Sequence, residues 1–214
     1  MQRQPRFDAI IFDCDGTLVD SETIGNQVLV DYLGELGLHM SLEEALTQFT
    51  GNQIRDTVAY VESRLGRPVP PKFIPELRSR FVPAFEAHLQ PMAGVENVLK
   101  NLNIPYCVAS SSPRMRLELS LRSTGLLPYF VGRIFSAHEV GSFKPEPGLF
   151  LHAAQALGVA PGRCAVVEDS VIGVKAGVAA GMTVFGYAPQ GDGDALAALG
   201  ARLFAHMDEL LELL

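Results

Sequence analysis

Short apolar segments alternate with helical patterns along most of the chain. Six segments rich in Val, Ile, Phe and Ala have the length of strands, at residues 7–12, 104–109, 133–135, 164–167, 182–187 and 202–204. Helical periodicity lies between most of them, at residues 94–102, 114–124, 146–157 and 171–180, and again at 207–214. Strands that alternate with helices predict an α/β fold with a doubly wound parallel sheet and a Rossmann-like core.

One long interval interrupts this alternation because it contains only helical periodicity. Helical patterns occur there at residues 21–37, 41–49, 52–66 and 71–89, and Ser41 and Glu44 have the spacing of a capping box. We predict a Rossmann-like catalytic core at residues 1–18 and 92–214, with an inserted four-helix-bundle cap domain at 19–91. Both ends of the insert join the core near one loop, so the cap would be able to open and close over that loop.

The composition narrows the classes of protein. The 214 residues are 48% hydrophobic and 19% charged, which is typical of a globular protein. A net charge of -7 without a run of Lys or Arg argues against a nucleic-acid partner. No segment approaches the ~18 apolar residues needed to cross a membrane, and the first apolar run is too short for a signal peptide. Cys14, Cys107 and Cys164 lack C-x-x-C spacing, so we expect buried, unpaired thiols in a cytoplasmic protein.

Carboxylates and hydroxyls follow the predicted strands, at the edge where α/β sheets bind ligands. The first strand is followed by Asp13, Asp15, Gly16 and Thr17, the second by Ser110, Ser111 and Ser112, and the fourth by Glu168, Asp169 and Ser170. Four carboxylates at one edge need a cation, and all-oxygen ligands favour Mg²⁺. Lys144, in the segment GSFKPEPG, is a candidate counter-charge for a carboxylate or a phosphate oxygen.

Four segments resemble, in order and spacing, the motifs of the haloacid dehalogenase superfamily: FDCDGTLVDSE, CVASSSP, SFKPEPGLF and VVEDSVIGVKAG. The helical insert after the first motif is similar to that of the small-cap subfamily, which contains phosphoglycolate phosphatases, sugar-phosphate phosphatases and β-phosphoglucomutases. The resemblance covers nearly the whole chain. It implies a Mg²⁺-dependent phosphatase that acts on a small phosphorylated metabolite, such as a sugar or sugar-acid phosphate.

The resemblance also implies a role for each motif residue. Asp13 would be the nucleophile that forms an aspartyl-phosphate, and Asp15 would protonate the leaving oxygen and later take a proton from water. The superfamily's dehalogenases lack the second aspartate, so we do not expect halide displacement. Lys144 would act in catalysis and bind phosphate. Further phosphate contacts would come from Gly16, Thr17, Ser110 and Ser111, and the metal ligands would be Asp13, the carbonyl of Asp15, Asp169 and Glu168, the last directly or through water.

Several of these assignments have alternatives. Ser111 and Ser112 have a second interpretation, as residues that only cap the helix that begins at Pro113. Glu168 has a second interpretation as a neighbour of the metal ligands, and Arg55 is either a substrate contact or a solvated helix residue. The histidines have no ligand spacing. We also predict that the Lys144–Pro145 peptide bond is cis.

Two other functions remain open at this point. A β-phosphoglucomutase-like enzyme would have a histidine shortly after the first motif and a Lys-Gly segment in the cap, whereas this chain has Gly25 and the segment TGNQIR at residues 50–55. A non-catalytic phosphate-binding module would be expected to have lost a catalytic aspartate or the lysine. We expect a monomer.

Overall fold

The computed structural model describes residues 6–50, 54–189 and 193–214. Residues 51–53, which belong to the segment compared with the mutases, lie outside the described residues. Contacts between Cα atoms divide the chain into two units, Met1–Val19 with Pro91–Leu214, and Asp20–Gln90. The predicted boundaries of the cap domain and its movement over the core stay predictions.

A six-stranded sheet forms the centre of the first unit. Its strands are β1 (Ala9–Phe12), β2 (Tyr106–Ser110), β3 (Ile134–Ser136), β4 (Cys164–Glu168), β5 (Thr183–Tyr187) and β6 (Arg202–Phe204). Their order is β3-β2-β1-β4-β5-β6, and every neighbouring pair is parallel. The prediction of an α/β fold with a parallel Rossmann-like sheet is therefore confirmed, and each predicted strand has a counterpart.

The helices follow the predicted order, with one short addition. They are α1 (Ser21–Glu35), α2 (Leu42–Phe49), α3 (Ile54–Leu65), α4 (Phe73–His88), α5 (Val95–Asn101), α6 (Arg114–Ser123), α7 (Ala137–Val140), α8 (Gly148–Leu157), α9 (Val171–Ala179), α10 (Asp194–Ala197) and α11 (Leu210–Leu213). The sequence patterns did not predict α7, which is only four residues long, too short for a periodic pattern to appear. α10 lies in the segment GDGDALAALG, whose sequence predicts a turn and the start of a helix.

Both faces of the sheet are covered, as a doubly wound fold requires. Successive strand residues point to opposite faces. On one face Ile11 packs in a cluster with Phe150 of α8 and Val174 of α9. On the other face the Phe12 ring meets Tyr106 and Phe130 edge-on. The strands are therefore buried on both sides, which explains why they read as continuous apolar runs.

The strand order changes direction between β1 and β4. After β1 the chain builds β2 and β3 on one side, and then crosses to β4, β5 and β6 on the other. Phe12 lies in register with Val167, so the ends of β1 and β4 meet at this point. Ligands of open α/β sheets bind beside such a change of direction, at the carboxyl ends of the strands. The fold thus brings Asp13 and Glu168 to one crevice.

The second unit consists of α1 to α4 with its own apolar cluster, which includes Leu33, Phe49 and Val61. Tyr32 stacks on Phe73 with ring centroids 5.2 Å apart, and the Arg80 guanidinium lies 4.1 Å from the centroid of the Tyr32 ring. The predicted capping box at Ser41 is present. Glu44 N donates to Ser41 Oγ at 3.1 Å, and Ser41 N donates to Glu44 Oε2 at 2.7 Å.

Two sequence predictions about the chain as a whole can be compared with the described residues. Cys14, Cys107 and Cys164 are buried and free, as predicted. Within the described part of the chain, no helix has both the length and the apolar character needed to cross a membrane.

Gly177 provides a test of the contact between α9 and β5. A Cβ atom at this position would lie 2.6 Å from Val184 Cγ2. We expect Gly177→Ala to lower the free energy of unfolding by up to about 2 kcal/mol, because overpacking outweighs the gain in helix propensity. The control is Gly162→Ala, which meets nothing within 4 Å. Urea denaturation followed by circular dichroism measures both variants, and equal stability of the two would contradict the packing argument.

Candidate active site

A buried ion cluster lies where β1 and β4 end. The Lys144 ammonium contacts Asp13 Oδ1 and Glu168 Oε1, each at 2.5 Å. The side chains of Lys144, Asp13 and Glu168 are 3%, 10% and 0% exposed. Lys144 belongs to the loop between α7 and α8, and its Nζ also lies 5.0 Å from the centroid of the Phe150 ring. One cation therefore joins the ends of two central strands.

Burial sets the electrostatics of this cluster. Desolvation raises the pKa of the Asp13 carboxyl to about 7, although the adjacent Lys144 ammonium acts against the rise. For Lys144, burial alone would lower the pKa, but the charges of Asp13 and Glu168 outweigh it and the net shift is upward. Lys144 therefore stays protonated, and its charge is the counter-charge of both carboxylates.

Asp15 lies in a different environment from Asp13, although only Cys14 separates them. Ser112 Oγ donates to Asp15 Oδ2 at 2.7 Å, and Arg116 Nη2 lies 3.5 Å from Asp15 Oδ1. The Asp15 side chain is 23% exposed, more than that of Asp13. The two carboxylates are thus held by separate cations and hydroxyls, which reduces their mutual repulsion and lets them differ in chemistry.

Glu168, the last residue of β4, and Asp169, which follows it, are held by short polar contacts. Thr17 Oγ1 donates to Asp169 Oδ1 at 3.0 Å. Glu168 Oε2 accepts from both the backbone N–H and the hydroxyl of Ser170, at 3.0 and 2.9 Å. Both oxygens of Glu168 are therefore engaged, one by Lys144 and one by Ser170.

The serines after β2 do not cap α6. Its N-cap is Pro113, without a side-chain hydrogen bond, so the interpretation of Ser111 and Ser112 as helix caps is wrong. Ser112 N donates to Ser110 Oγ at 3.2 Å, and the Ser110 hydroxyl can still donate its own hydrogen. Ser111 Oγ is buried and has no hydrogen-bond partner among the described residues.

Three carboxylates are arranged so that they could hold a metal ion. Asp13, Glu168 and Asp169 each offer an oxygen, and these oxygens lie within 4.8 Å of one another. An all-oxygen set of this kind suits a hard divalent cation. The sequence had predicted all three as ligands, and the structure brings them together.

Two further sequence predictions concern Arg55 and the loop of Lys144. Arg55 lies in the helical unit, and its side chain is 82% exposed. Its Nε is 3.4 Å from Asp56 Oδ1. The contact of Arg55 with substrate stays a prediction. The Lys144–Pro145 peptide bond is cis, which confirms the sequence prediction.

Two residues that contact Ser112 or Asp15 are not predicted from the sequence. Ser136 ends β3, and its Oγ donates to the carbonyl of Ser112 at 2.8 Å. It directly follows a predicted strand, so the rule that selected Asp13 and Ser110 would have found it too. Arg116 lies within α6, where nothing in the pattern indicates that its side chain reaches Asp15.

A buried aspartate paired with a lysine lies beside further acids at the carboxyl edge of a parallel sheet, where α/β proteins bind their ligands. A family model of haloacid dehalogenase-like hydrolases matches residues 7–181, and the chain belongs to this family. It is 31% identical to the 6-phosphogluconate phosphatase of Escherichia coli over 97% of this chain and 95% of that protein. A fructose-1-phosphate phosphatase of the same organism is 30% identical over 83% and 94%. The chain is thus a hydrolase, consistent with hydrolysis of phosphoric monoesters.

Solved structures agree with this assignment. A hydrolase of the family from Deinococcus radiodurans, with bound phosphate and sodium, has a TM-score of 0.82 and 38% identity, covering 96% of this chain and 93% of that one. A structure from Thermotoga maritima, provisionally named a β-phosphoglucomutase, has a TM-score of 0.83 and 26% identity, covering 96% and 97%.

The buried position of Lys144 leads to a prediction about stability. Lys144→Met would leave Asp13 and Glu168 as neighbouring buried carboxylates, so we expect a loss of about 3–5 kcal/mol in the free energy of unfolding. Lys100→Met is the control, because Lys100 is 58% exposed and pairs with Glu96 one helical turn away. We expect Lys100→Met to lower the free energy of unfolding by no more than about 0.5 kcal/mol. Denaturant titration without added metal compares the two, and similar losses would mean that the buried cluster contributes no more than a surface pair.

The acidic group leads to a prediction about metal binding. Asp169→Asn removes one charge from the set, so we expect the dissociation constant for Mn²⁺, used as a probe, to rise by about tenfold or more. Asp31→Asn removes an exposed charge in α1 and should leave the dissociation constant for Mn²⁺ unchanged. Isothermal titration calorimetry measures the dissociation constants of both variants. A Mn²⁺ affinity that Asp169→Asn does not alter would remove Asp169 from the ligand set.

Proposed function

We propose that this protein is a Mg²⁺-dependent phosphatase that hydrolyses a small phosphorylated metabolite, a sugar or sugar-acid phosphate, through an aspartyl-phosphate on Asp13. The observation that carries the proposal is the state of this aspartate. Lys144 holds Asp13 Oδ1, while Asp13 Oδ2 has no hydrogen bond among the described residues. One oxygen is thus fixed and the other remains available as a nucleophile.

Asp13 and Asp15 divide the reaction between them. In the first step Asp13 Oδ2 forms a bond to phosphorus, the ester P–O bond breaks, and Asp15 gives its proton to the leaving oxygen. In the second step water attacks phosphorus and passes a proton to Asp15. The acyl P–O bond then breaks, which releases inorganic phosphate and restores the Asp13 carboxylate.

The transferring phosphoryl group needs donors for its oxygens. The hydroxyl of Ser110 can donate, and the buried hydroxyl of Ser111 has no other partner among the described residues. Gly16, with φ of 78°, and Thr17 follow the nucleophile in a turn. The backbone N–H of Gly16 donates to Val19 O at 2.9 Å, so we assign the backbone N–H of Thr17 to the phosphoryl group. Lys144 supplies the positive charge.

Asp13, the carbonyl of Asp15 and Asp169 would hold Mg²⁺. When bound, the ion would neutralise charge on Asp13 and on the phosphoryl oxygens. Glu168 fits the role of a neighbour better than that of a ligand, because both its oxygens already accept hydrogen bonds from Lys144 and Ser170. We therefore assign Glu168 to the placement of Lys144.

The substrate class rests on the relatives. The curated relatives described above are named for a sugar-acid phosphate and a sugar phosphate. The buried free thiols are compatible with a reducing compartment, and we propose the cytoplasm. A monomeric state stays a prediction.

The test is phosphate release from a panel that includes 6-phosphogluconate, fructose 1-phosphate and glucose 6-phosphate, with Mg²⁺ or with EDTA. We expect hydrolysis of one or a few compounds, lost in EDTA and reduced by about 10³-fold or more in Asp13→Asn, which lacks the nucleophile. Asp31→Asn is the matched control and should retain full activity.

Two results would contradict the proposal. Activity that persists in Asp13→Asn would exclude the aspartyl-phosphate. Isomerisation of glucose 1-phosphate faster than its hydrolysis would favour a mutase, a candidate because of the structural likeness to the Thermotoga maritima protein.

A further inference from the structure

A line of three serines connects the third strand of the sheet to Asp15. Ser136 Oγ donates to the carbonyl of Ser112 at 2.8 Å, and Ser112 Oγ donates to Asp15 Oδ2 at 2.7 Å. Ser112 N donates to Ser110 Oγ at 3.2 Å, so the backbone of Ser112 is tied on both sides. Because Ser110 and Ser136 are paired in register at the ends of β2 and β3, the anchor is part of the sheet.

The two serines that anchor Ser112 are buried. Ser136 is 0% exposed and Ser110 is 3% exposed. Ser112 does not cap α6, whose N-cap is Pro113, so its hydroxyl serves Asp15 rather than the helix. The contact of Asp15 Oδ1 with Arg116 Nη2 is longer, at 3.5 Å. The hydroxyl of Ser112 therefore makes the shorter of these two contacts with the Asp15 carboxyl.

We propose that Ser112, held by Ser136, is a positioning residue that orients the Asp15 carboxyl toward the leaving oxygen of the substrate. A hydroxyl can donate to Oδ2 whether the carboxyl is ionised or carries its proton on Oδ1, so the bond persists through proton transfer. Oδ1 is then the oxygen that gives its proton as the ester P–O bond breaks. This inference rests on the proposed function of Asp15, and it adds residues that act through Asp15 without touching substrate.

The leaving group separates this role from a general structural one. An alkoxide leaving from a sugar phosphate needs a proton, whereas p-nitrophenolate is stable without one. The ratio kcat/KM covers the steps up to cleavage of the ester bond. A poorly oriented acid should thus lower kcat/KM for the sugar phosphate and leave kcat/KM for p-nitrophenyl phosphate unchanged. Damage to the phosphate or metal sites would lower kcat/KM for both esters.

The experiment measures kcat/KM with both esters for Ser112→Ala and Ser136→Ala. We expect a loss of about tenfold or more with the sugar phosphate and less than about twofold with p-nitrophenyl phosphate. Ser112→Thr keeps a hydroxyl and should restore most of the activity. Ser120→Ala is the matched control, because Ser120 is buried and its Oγ has no partner among the described residues.

Equal losses with the two esters, no loss with either, or failure of Ser112→Thr to restore activity would overturn the inference. Ser136 Oγ also accepts from His138 N at 3.3 Å, so Ser136→Ala could lower stability. Lower stability alone would affect both esters equally. If Ser112→Ala does not fold, the result for Ser136→Ala tests the inference. That variant keeps the Ser112 hydroxyl that donates to Asp15 and removes only the hydrogen bond that holds the backbone of Ser112.

Asp15→Asn distinguishes failure of this inference from failure of the proposed function. If Asp15→Asn lowers kcat/KM only for the sugar phosphate and Ser112→Ala does not show this selective loss, only the inference is wrong. If Asp15→Asn lowers kcat/KM equally for both esters, or if the wild type releases no phosphate, the proposed acid role is wrong. The inference is then wrong as well.

Discussion

The Lys144 ammonium between Asp13 and Glu168 is the interaction on which the rest of this site depends. Two carboxylates at the ends of neighbouring buried strands would repel each other and resist burial, and a lysine at 2.5 Å from each supplies the compensating charge. The lysine comes from a third segment, the loop before α8, so the cluster also fixes that loop against the sheet. Lys144 takes Oδ1 of Asp13 and Oε1 of Glu168, and Ser170 takes the other oxygen of Glu168, so Asp13 Oδ2 is left without a hydrogen bond among the described residues.

The same constraint explains how two aspartates separated by one residue can differ. Cys14 points away into the core, where it is buried, and its neighbours project toward the carboxyl edge. Asp13 meets the buried ammonium, whereas Asp15 meets a hydroxyl and a guanidinium in a more open position. Identical residues can take different chemical roles when their surroundings differ in this way.

Much of this arrangement can be predicted from the sequence, because it depends on local patterns. Apolar runs predict the six strands, alternation predicts the parallel sheet, and residues such as Asp13 and Glu168 follow strands that must end at one edge. The contacts of Ser112 and Arg116 with Asp15 could not be predicted, since they depend on rotamers and on the path of the loop after β2. The cap function of Ser112 was a reasonable local interpretation that a longer-range hydrogen bond overrides.

Glycine makes the close approach of these acids possible. Gly16 has φ of 78°, and a Cβ atom there would lie 2.1 Å from Asp169 Oδ2. In α9, a Cβ on Gly173 would lie 1.8 Å from Glu168 Oε1. Each carboxylate thus occupies the volume that a side chain would fill, directly against backbone. The turn after β1 and the first turn of α9 therefore set the positions of these carboxylates.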